Sequence, residues 1–496
     1  MDLHPDEHLD PSAEITLEQV QHRAVKGVVA LVGRFGIIYI IAAIAQGLLG
    51  IYLTQTEWGV FAVVSAVVNF LVYFSDIGLA AALIQNKDKL EDSDLKTTFT
   101  TQQLLVLTLL FFLFLIGDSV KSTFNLSVDG MFLLYALGAS FFLSSLKTIP
   151  SVLLERKIQF EKLAFAQILE NIVYYVILVY FAWQGAGTKS FAFAVLARGI
   201  VGLVTLYILQ PWMPGIAFSK KSFKKLLGFG VPYQLNTFIA VAKDDGITIF
   251  LGKILGLEMM GLLNWAQKWA QMPLRIFLDS VTKVTFPAFS RIQDRKAELE
   301  RAVTSSLFFI SFLVFPSVLI LVLTSPMIVA IVPRYEKWIP ALLPLAIVSV
   351  NTMFASVTTQ LTNLLNAIGK IKITMKLLIM WSVLSWAFIP LLAQHYGLVG
   401  ASVGYALVGS SSIVAIWIVK RLVNFSIWDG FGKTLLASLL MAVFMLVFRP
   451  FLPYNLAGLG VITMIGGSVY LILVFVLVGP KLFADVRKIA KAFMEK

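Results

Sequence analysis

The sequence predicts an all-α integral membrane protein: about fourteen transmembrane helices in two six-helix lobes related by pseudo-two-fold symmetry, followed by a C-terminal helix pair. Three observations lead there. Hydrophobic residues make up 58% of the 496 and charged residues only 14%, where an ordinary soluble domain has about a quarter charged; mean hydropathy is +0.85. Apolar runs long enough to cross a hydrocarbon core of about 30 Å recur along the chain, which fits a helical bundle and not the short alternating strands of a barrel. Landmarks of the second span also return about 200 residues later in the same order, the mark of an internal repeat.

Taken in order, residues 1–26 are polar, end in a weak capping pattern from Thr16 to Gln19 and show no cleavable signal peptide, so they are expected as a cytoplasmic segment. Spans one to six, at about 27–54, 58–85, 98–117, 129–153, 164–183 and 189–211, form an N-lobe over 27–211. A basic cytoplasmic linker, 212–227, leads to spans seven to twelve at about 228–252, 257–283, 303–324, 340–366, 373–394 and 398–419, a C-lobe over 228–421. Spans thirteen and fourteen, about 431–449 and 456–479, lie within 422–480. In the tail, 481–496, Leu482, Val486, Ile489 and Phe493 share one helix face with Arg487, Lys488 and Lys491 mostly off it, as in a helix lying on an anionic inner leaflet.

Loops on the side of the N-terminus hold about 27 Lys and Arg, those on the other side about six, so both termini are expected in the cytoplasm. The net charge of +12 is thereby a topology signal, and nucleic acid is not an expected partner. The outward loops are short, the longest being about 325–339 with Pro326, Pro333 and Arg334, which leaves no material for a folded external domain. With no cysteine there is neither a disulfide framework nor a thiol nucleophile, and the four scattered histidines have no metal-ligand spacing. No cofactor and no metal are expected.

The repeat is weak in identities and consistent in order. Gly59 follows Glu57 at the start of span two, and Gly261 follows Glu258 at the start of span eight; Asp76 comes 17 residues after the first glycine and Asp279 comes 18 after the second. Span two exits through "ALIQNK" from Ala82, span eight through "AFSRIQ" from Ala288, and Arg34 stands opposite Asn236. Six is even, so the halves share one orientation, as in transporters that bind substrate near mid-membrane between parallel repeats. Pro232, Pro273, Pro316, Pro344 and Pro390 are kink candidates, and "GASVG" at 400–404 is a small-residue packing face.

The charged interior is the functional signal. Arg34, Lys147, Arg198, Lys243, Lys268, Arg275 and Lys283 fall inside spans, with Asp76, Glu170, Asp244, Asp245 and Asp279 at similar depth. A charge at mid-bilayer costs about 2.5–3.5 kcal/mol on insertion scales and usually faces a cavity. Asn264, Lys268, Gln271, Arg275 and Thr282 share one face of span eight, and Asp76 ends a polar stripe in span two with Ser65, Asn69 and Tyr73; span four carries Ser140, Ser144, Lys147 and Ser151. A structural alternative stands beside this: Lys268 and Lys283 could snorkel, and Asp244 or Asp245 could neutralise Lys243.

The segments "FSDIGLAAALIQ" (Phe74 to Gln85), "LLERKIQFEKLAFAQILENI" (Leu153 to Ile172), "AKDDGITIFLGKILGLEMMGLLNWAQKWAQMPLRI" (Ala242 to Ile276) and "FPAFSRIQDR" (Phe286 to Arg295) resemble the polysaccharide transporter branch of the MOP flippases, which includes Wzx-type exporters and is related to the lipid II flippases. The resemblance implies a V-shaped bundle of two lobes around a cationic cavity. It also implies movement of a polyprenyl-diphosphate-linked glycan from the inner to the outer leaflet of a prokaryotic plasma membrane, by alternating access. Spans thirteen and fourteen would provide a groove for the lipid tail. A proton or sodium gradient would be the driving force, although no ion-site motif maps onto this sequence. Membrane lipids and enzymes of glycan polymerisation or transfer would be the partners.

Arg suits bidentate phosphate contacts and Lys point-charge contacts. Arg34, Arg198, Lys243, Lys268, Arg275 and Lys147 are therefore the expected diphosphate contacts, Asn69, Asn236, Asn264, Gln271 and Trp265 the expected sugar contacts, and Asp76, Asp244, Asp245 and Asp279 the charge-pairing or ion-coupling groups. Two other functions compete. An ion-coupled small-solute or multidrug antiporter of the same superfamily would not need the extra helix pair. A membrane glycosyltransferase or polymerase would place catalytic residues on sizeable outward loops, which this chain lacks, so no catalytic residue is expected.

Overall fold

The computed structural model describes residues 38–85 and 90–479, with the side chains of 229–233, 235–237, 279, 280, 283 and 284 excepted. The expected N-terminal segment, Arg34 and the amphipathic tail lie outside the described residues, as do the side chains of Asn236 and Asp279. Every regular element among the described residues is helical. In order they are α1 (Ile38–Tyr52), α2 (Gln55–Val72), α3 (Leu79–Gln85), α4 (Asp92–Phe124), α5 (Val128–Leu146), α6 (Thr148–Arg156), α7 (Phe160–Trp183), α8 (Lys189–Leu209), α9 (Lys220–Arg291), α10 (Lys296–Ile331), α11 (Leu342–Ala367), α12 (Ile371–Ser410), α13 (Ser412–Leu422), α14 (Lys433–Phe448) and α15 (Leu456–Val478).

Among the described residues, eleven stretches are long and apolar enough to cross a membrane. Two of them are pairs of helices joined without a loop: α9 turns at Gly256 (φ 75°, ψ 171°) and α12 at Gly397 (φ 57°, ψ −136°). Both angle pairs lie where only glycine sits without strain, and they fall where the sequence separates span seven from eight and eleven from twelve. Dividing the two at these glycines gives thirteen, and α1 is an apolar helix of 15 residues. The long outward loop is a difference: α10 continues past Pro326 to Ile331, and a 3-10 turn begins at Glu336, so only 332–335 remain irregular.

Two expected spans are broken. Span two ends as a helix at Val72, passes through a 3-10 turn, and reverses sign at Ile77 (φ 49°) and Gly78 (φ 75°) before α3 begins. Asp76 caps the new start, accepting from the backbone N–H of Ala80 at 3.1 Å. Span four breaks at Lys147, between α5 and α6. Pro150 explains it: proline has no N–H for the Leu146 carbonyl four residues back, and the Tyr207 hydroxyl donates to that carbonyl instead, at 3.0 Å. The half-helices α3 and α6 pack together around Leu79, Leu83, Ile149 and Leu153, and Arg156 donates to the Leu83 carbonyl at the end of α3, 2.6 Å away.

The chain divides into two compact units, one ending at Gly261 and one beginning at Leu262. In the first, α8 packs between α5 and α7, with Ser140 donating to the Val195 carbonyl at 2.9 Å. Among its described glycines, the closest approach joins the two of the repeat. A Cβ on Gly59 would lie 1.7 Å from the Leu257 carbonyl oxygen, and one on Gly261 would lie 1.7 Å from the Gln55 carbonyl oxygen. Each glycine presses on the carbonyl one turn before the other, a reciprocal contact of the kind a two-fold axis produces.

In the second unit, α14 and α15 pair and pack on α10 around Met327, Met441, Met445 and Tyr470. Where lipid competes equally for apolar surface, hydroxyls act as fasteners between helices. The Ser311 hydroxyl meets Thr434 at 2.8 Å and donates to the Gly430 carbonyl at 3.2 Å, and Tyr470 donates to the Phe312 carbonyl at 2.9 Å. Asn455 starts α15 by accepting from the Gly458 N–H at 2.8 Å. Asn455→Ala is expected to cost about 1 kcal/mol, the usual worth of an N-cap, read as a lower midpoint of thermal unfolding in detergent.

Candidate functional site

The break at Lys147 builds a site. It points the ammonium away from a continuous helix and towards α7, where Glu170 lies buried with 5% of its side chain exposed. Lys147 Nζ is 2.5 Å from Glu170 Oε1, and Arg198 Nε of α8 is 3.6 Å from Glu170 Oε2. Gly202, one turn beyond Arg198, leaves the space: a Cβ there would stand 2.3 Å from Glu170 Oε1 and 2.8 Å from Lys147 Nζ. The Arg198 guanidinium lies 5.8 Å from the centre of the Tyr174 ring, within cation–π range.

Around this triad is a cavity of about 380 Å³, lined also by Ser151, Gln167 and Asn171. Lys147 is 17% and Arg198 46% exposed in the side chain. The cavity is thus a polar chamber held open between α6, α7 and α8, with two cations, one anion and several hydrogen-bonding side chains. Two of its residues, Lys147 and Arg198, are among the cations that the sequence offers as diphosphate contacts. Gln167, Asn171, Tyr174 and Gly202 were missed, although Gln167, Glu170, Asn171 and Tyr174 follow the 3/4 spacing of one helix face.

The other expected residues fall into smaller groups. In the first half of α9, Lys243 is paired with the adjacent Asp244, and Asp245 follows it in the chain; Asn69 lies on α2. Asp76 is occupied as the cap of α3. In the unit that begins at Leu262, the Arg275 guanidinium donates to the Gln271 amide oxygen at 3.1 Å, and Lys268 is half-buried two turns earlier. Trp265 is 3% exposed, and its indole stacks on Trp338 with centroids 5.1 Å apart. That face is unavailable to a sugar ring. The Asn264 amide oxygen and the Trp265 indole N–H are buried and reach no hydrogen-bond partner among the described residues. Beside this cluster, in the irregular 332–335 segment, burial pushes the Tyr335 phenol up to about 12.

Among the described residues no group of three or more His, Asp or Glu is placed to hold a metal. A profile of the family described as polysaccharide biosynthesis protein matches residues 49–343, which takes in both charged groups. The chain belongs to this family. Its relatives in that family-wide sense include the lipopolysaccharide biosynthesis protein WzxC of Escherichia coli (strain K12), 25% identical over 355 residues, with 71% of each chain covered. The teichuronic acid biosynthesis protein TuaB of Bacillus subtilis (strain 168) is 24% identical over 319 residues, covering 63% of this chain and 65% of that one.

Solved structures extend the likeness to the whole fold. The lipid II flippase MurJ in an inward closed conformation matches with a TM-score of 0.73 at 16% identity, over 93% of this chain and 99% of that one. An inward-facing multidrug resistance MATE family transporter of the MOP superfamily matches with a TM-score of 0.60 at 15% identity, over 78% and 94%. This member of the polysaccharide biosynthesis family is therefore a multi-pass membrane protein with the MOP fold.

Proposed function

We propose that the protein is a flippase that carries a polyprenyl-diphosphate-linked oligosaccharide from the inner to the outer leaflet of a prokaryotic plasma membrane, for synthesis of a cell-surface polysaccharide. The observation that carries this reading is the basic chamber of Lys147, Glu170 and Arg198, open at Arg198, in a fold shared with a lipid II flippase. Relatives named for lipopolysaccharide and teichuronic acid biosynthesis support it. The fold alone also suits an antiporter, given the likeness to a MATE transporter; family membership favours the glycan.

The task explains the design. A head group of diphosphate and sugars must shed water while its tail stays in lipid, which calls for fixed cations and hydrogen-bonding groups at membrane depth. Arg34, Lys243, Lys268 and Arg275 serve the diphosphate, and Asn69, Asn236, Asn264 and Gln271 the sugars. Asp244, Asp245 and Asp279 hold the cations apart between cargoes or carry a coupling proton or sodium ion. Residues 27–211 and 228–421 act as the two lobes, the helices of 422–480 as the support for the lipid tail, and both termini face the cytoplasm. Glycan polymerases or transferases take over the flipped product.

Reconstitution in liposomes tests this. Undecaprenyl-diphosphate oligosaccharide is expected to exchange leaflets faster with the protein than without it. Lys243→Ala or Arg275→Ala, expressed at normal levels, is expected to abolish that exchange. No movement of such a lipid, together with gradient-driven efflux of small cations, would make the protein an antiporter.

A further inference from the structure

The chamber around Glu170 has a charge balance of its own. Lys147 and Arg198 contribute two positive charges and Glu170 one negative, so the triad carries a single unmatched positive charge. A diphosphate diester brings two negative charges beside a carboxylate that is already there, and would leave the chamber net negative. One carboxylate balances it.

The geometry agrees. Glu170 engages Arg198 through Nε, and among the described residues none accepts a hydrogen bond from the two terminal guanidinium nitrogens. Those nitrogens form a planar fork that fits a carboxylate in bidentate fashion. The Arg198 side chain is 46% exposed, open to an incoming group, whereas Glu170 is 5% exposed and stays buried. Ser151, Gln167 and Asn171 line the same chamber; the Ser151 hydroxyl donates to the Lys147 carbonyl at 2.9 Å and the Asn171 amide to the Gln167 carbonyl at 2.7 Å, which leaves their oxygens as acceptors for sugar hydroxyls. At about 380 Å³ the chamber lies at the small end of the usual range of roughly 300–1,000 Å³ for ligand sites, so it takes one or two sugar residues and not a whole repeat unit.

We infer that this chamber binds an acidic sugar residue of the translocated glycan, its carboxylate on Arg198, and thereby selects uronate-containing oligosaccharides. The inference rests on the flippase reading and moves Lys147 and Arg198 from the diphosphate to the sugar. Glu170 is the resident anion that holds Lys147 in place and sets the charge the chamber accepts.

The test uses the whole protein in liposomes with two undecaprenyl-diphosphate tetrasaccharides that differ in one residue, glucuronate in one and glucose in the other. At sub-saturating lipid, the glucuronate form is expected to flip about tenfold faster, the effect of one charge-assisted bidentate contact of about 1.4 kcal/mol. Arg198→Gln is expected to bring the ratio of the two rates close to one, and Arg198→Lys to keep part of the preference. The wild-type comparison decides even where a variant folds poorly. Equal wild-type rates would overturn the acidic-sugar assignment and leave the flippase reading in place. Movement of neither lipid would overturn both. A preference that disappears when phosphatidylglycerol replaces phosphatidylcholine would assign the chamber to lipid head groups and overturn the inference.

Discussion

Gly59→Ala is expected to lower the stability of the solubilised protein by about 3 kcal/mol or more, at or beyond the top of the range of roughly 1–3 kcal/mol for an overpacked core. The added methyl would stand 1.7 Å from the Leu257 carbonyl oxygen, well inside contact distance, and its opponent is backbone. No side chain can rotate aside. Gly261→Ala should behave alike, since its methyl would meet the Gln55 carbonyl at the same 1.7 Å. Gly467→Ala is the control: nothing lies within 4 Å of its Cβ, and alanine in a helix gains about 0.5–1 kcal/mol over glycine. Thermal unfolding followed by tryptophan fluorescence separates them. A midpoint for Gly59→Ala equal to that of Gly467→Ala would mean that the helices do not meet at these glycines.

Glu170→Ala is expected to be the most damaging change in the chamber. Removing one member of a buried ion pair leaves the other charge uncompensated and typically costs about 3–5 kcal/mol. Glu170 answers two cations and is 5% exposed, whereas Lys147 is 17% exposed. Adding Lys147→Ala should return part of the loss, because the double variant no longer buries a lone ammonium. A double-mutant cycle on the unfolding midpoint measures the coupling. A double variant as unstable as the sum of the singles would show that Lys147 and Glu170 do not interact.

Much of the fold was legible because the bilayer imposes one period and one length on every crossing. The turns at Gly256 and Gly397 fall where the hydropathy dips, and α14 and α15 match spans thirteen and fourteen to within about two residues. The breaks were less legible. Phe74 to Gln85 reads as one apolar run, and only Gly78 and the capping Asp76 betray the reversal there. Span four also reads as continuous, yet Pro150 carries the signal for the break at Lys147. The site was half legible: depth picked out Lys147 and Arg198, but not that Glu170, 23 positions after Lys147, would bind both. Side-chain pairing between spans depends on helix rotation, which hydropathy does not fix. Trp265 shows the same limit, since an aromatic residue on a polar span reads equally well as a sugar platform or as core, and the stack on Trp338 makes it core.

The bond between Lys147 and Glu170 also bears on how the protein is made. Each lies in a segment that must leave the ribosome and enter lipid, and each alone would carry a charge worth about 2.5–3.5 kcal/mol against insertion. The two segments are consecutive, and the two side chains meet at 2.5 Å. Insertion of α5 to α7 as one hairpin, with the charges already joined, removes a penalty that either segment would meet by itself. The same contact that shapes the chamber in the finished protein therefore favours paired entry of these helices into the membrane during synthesis.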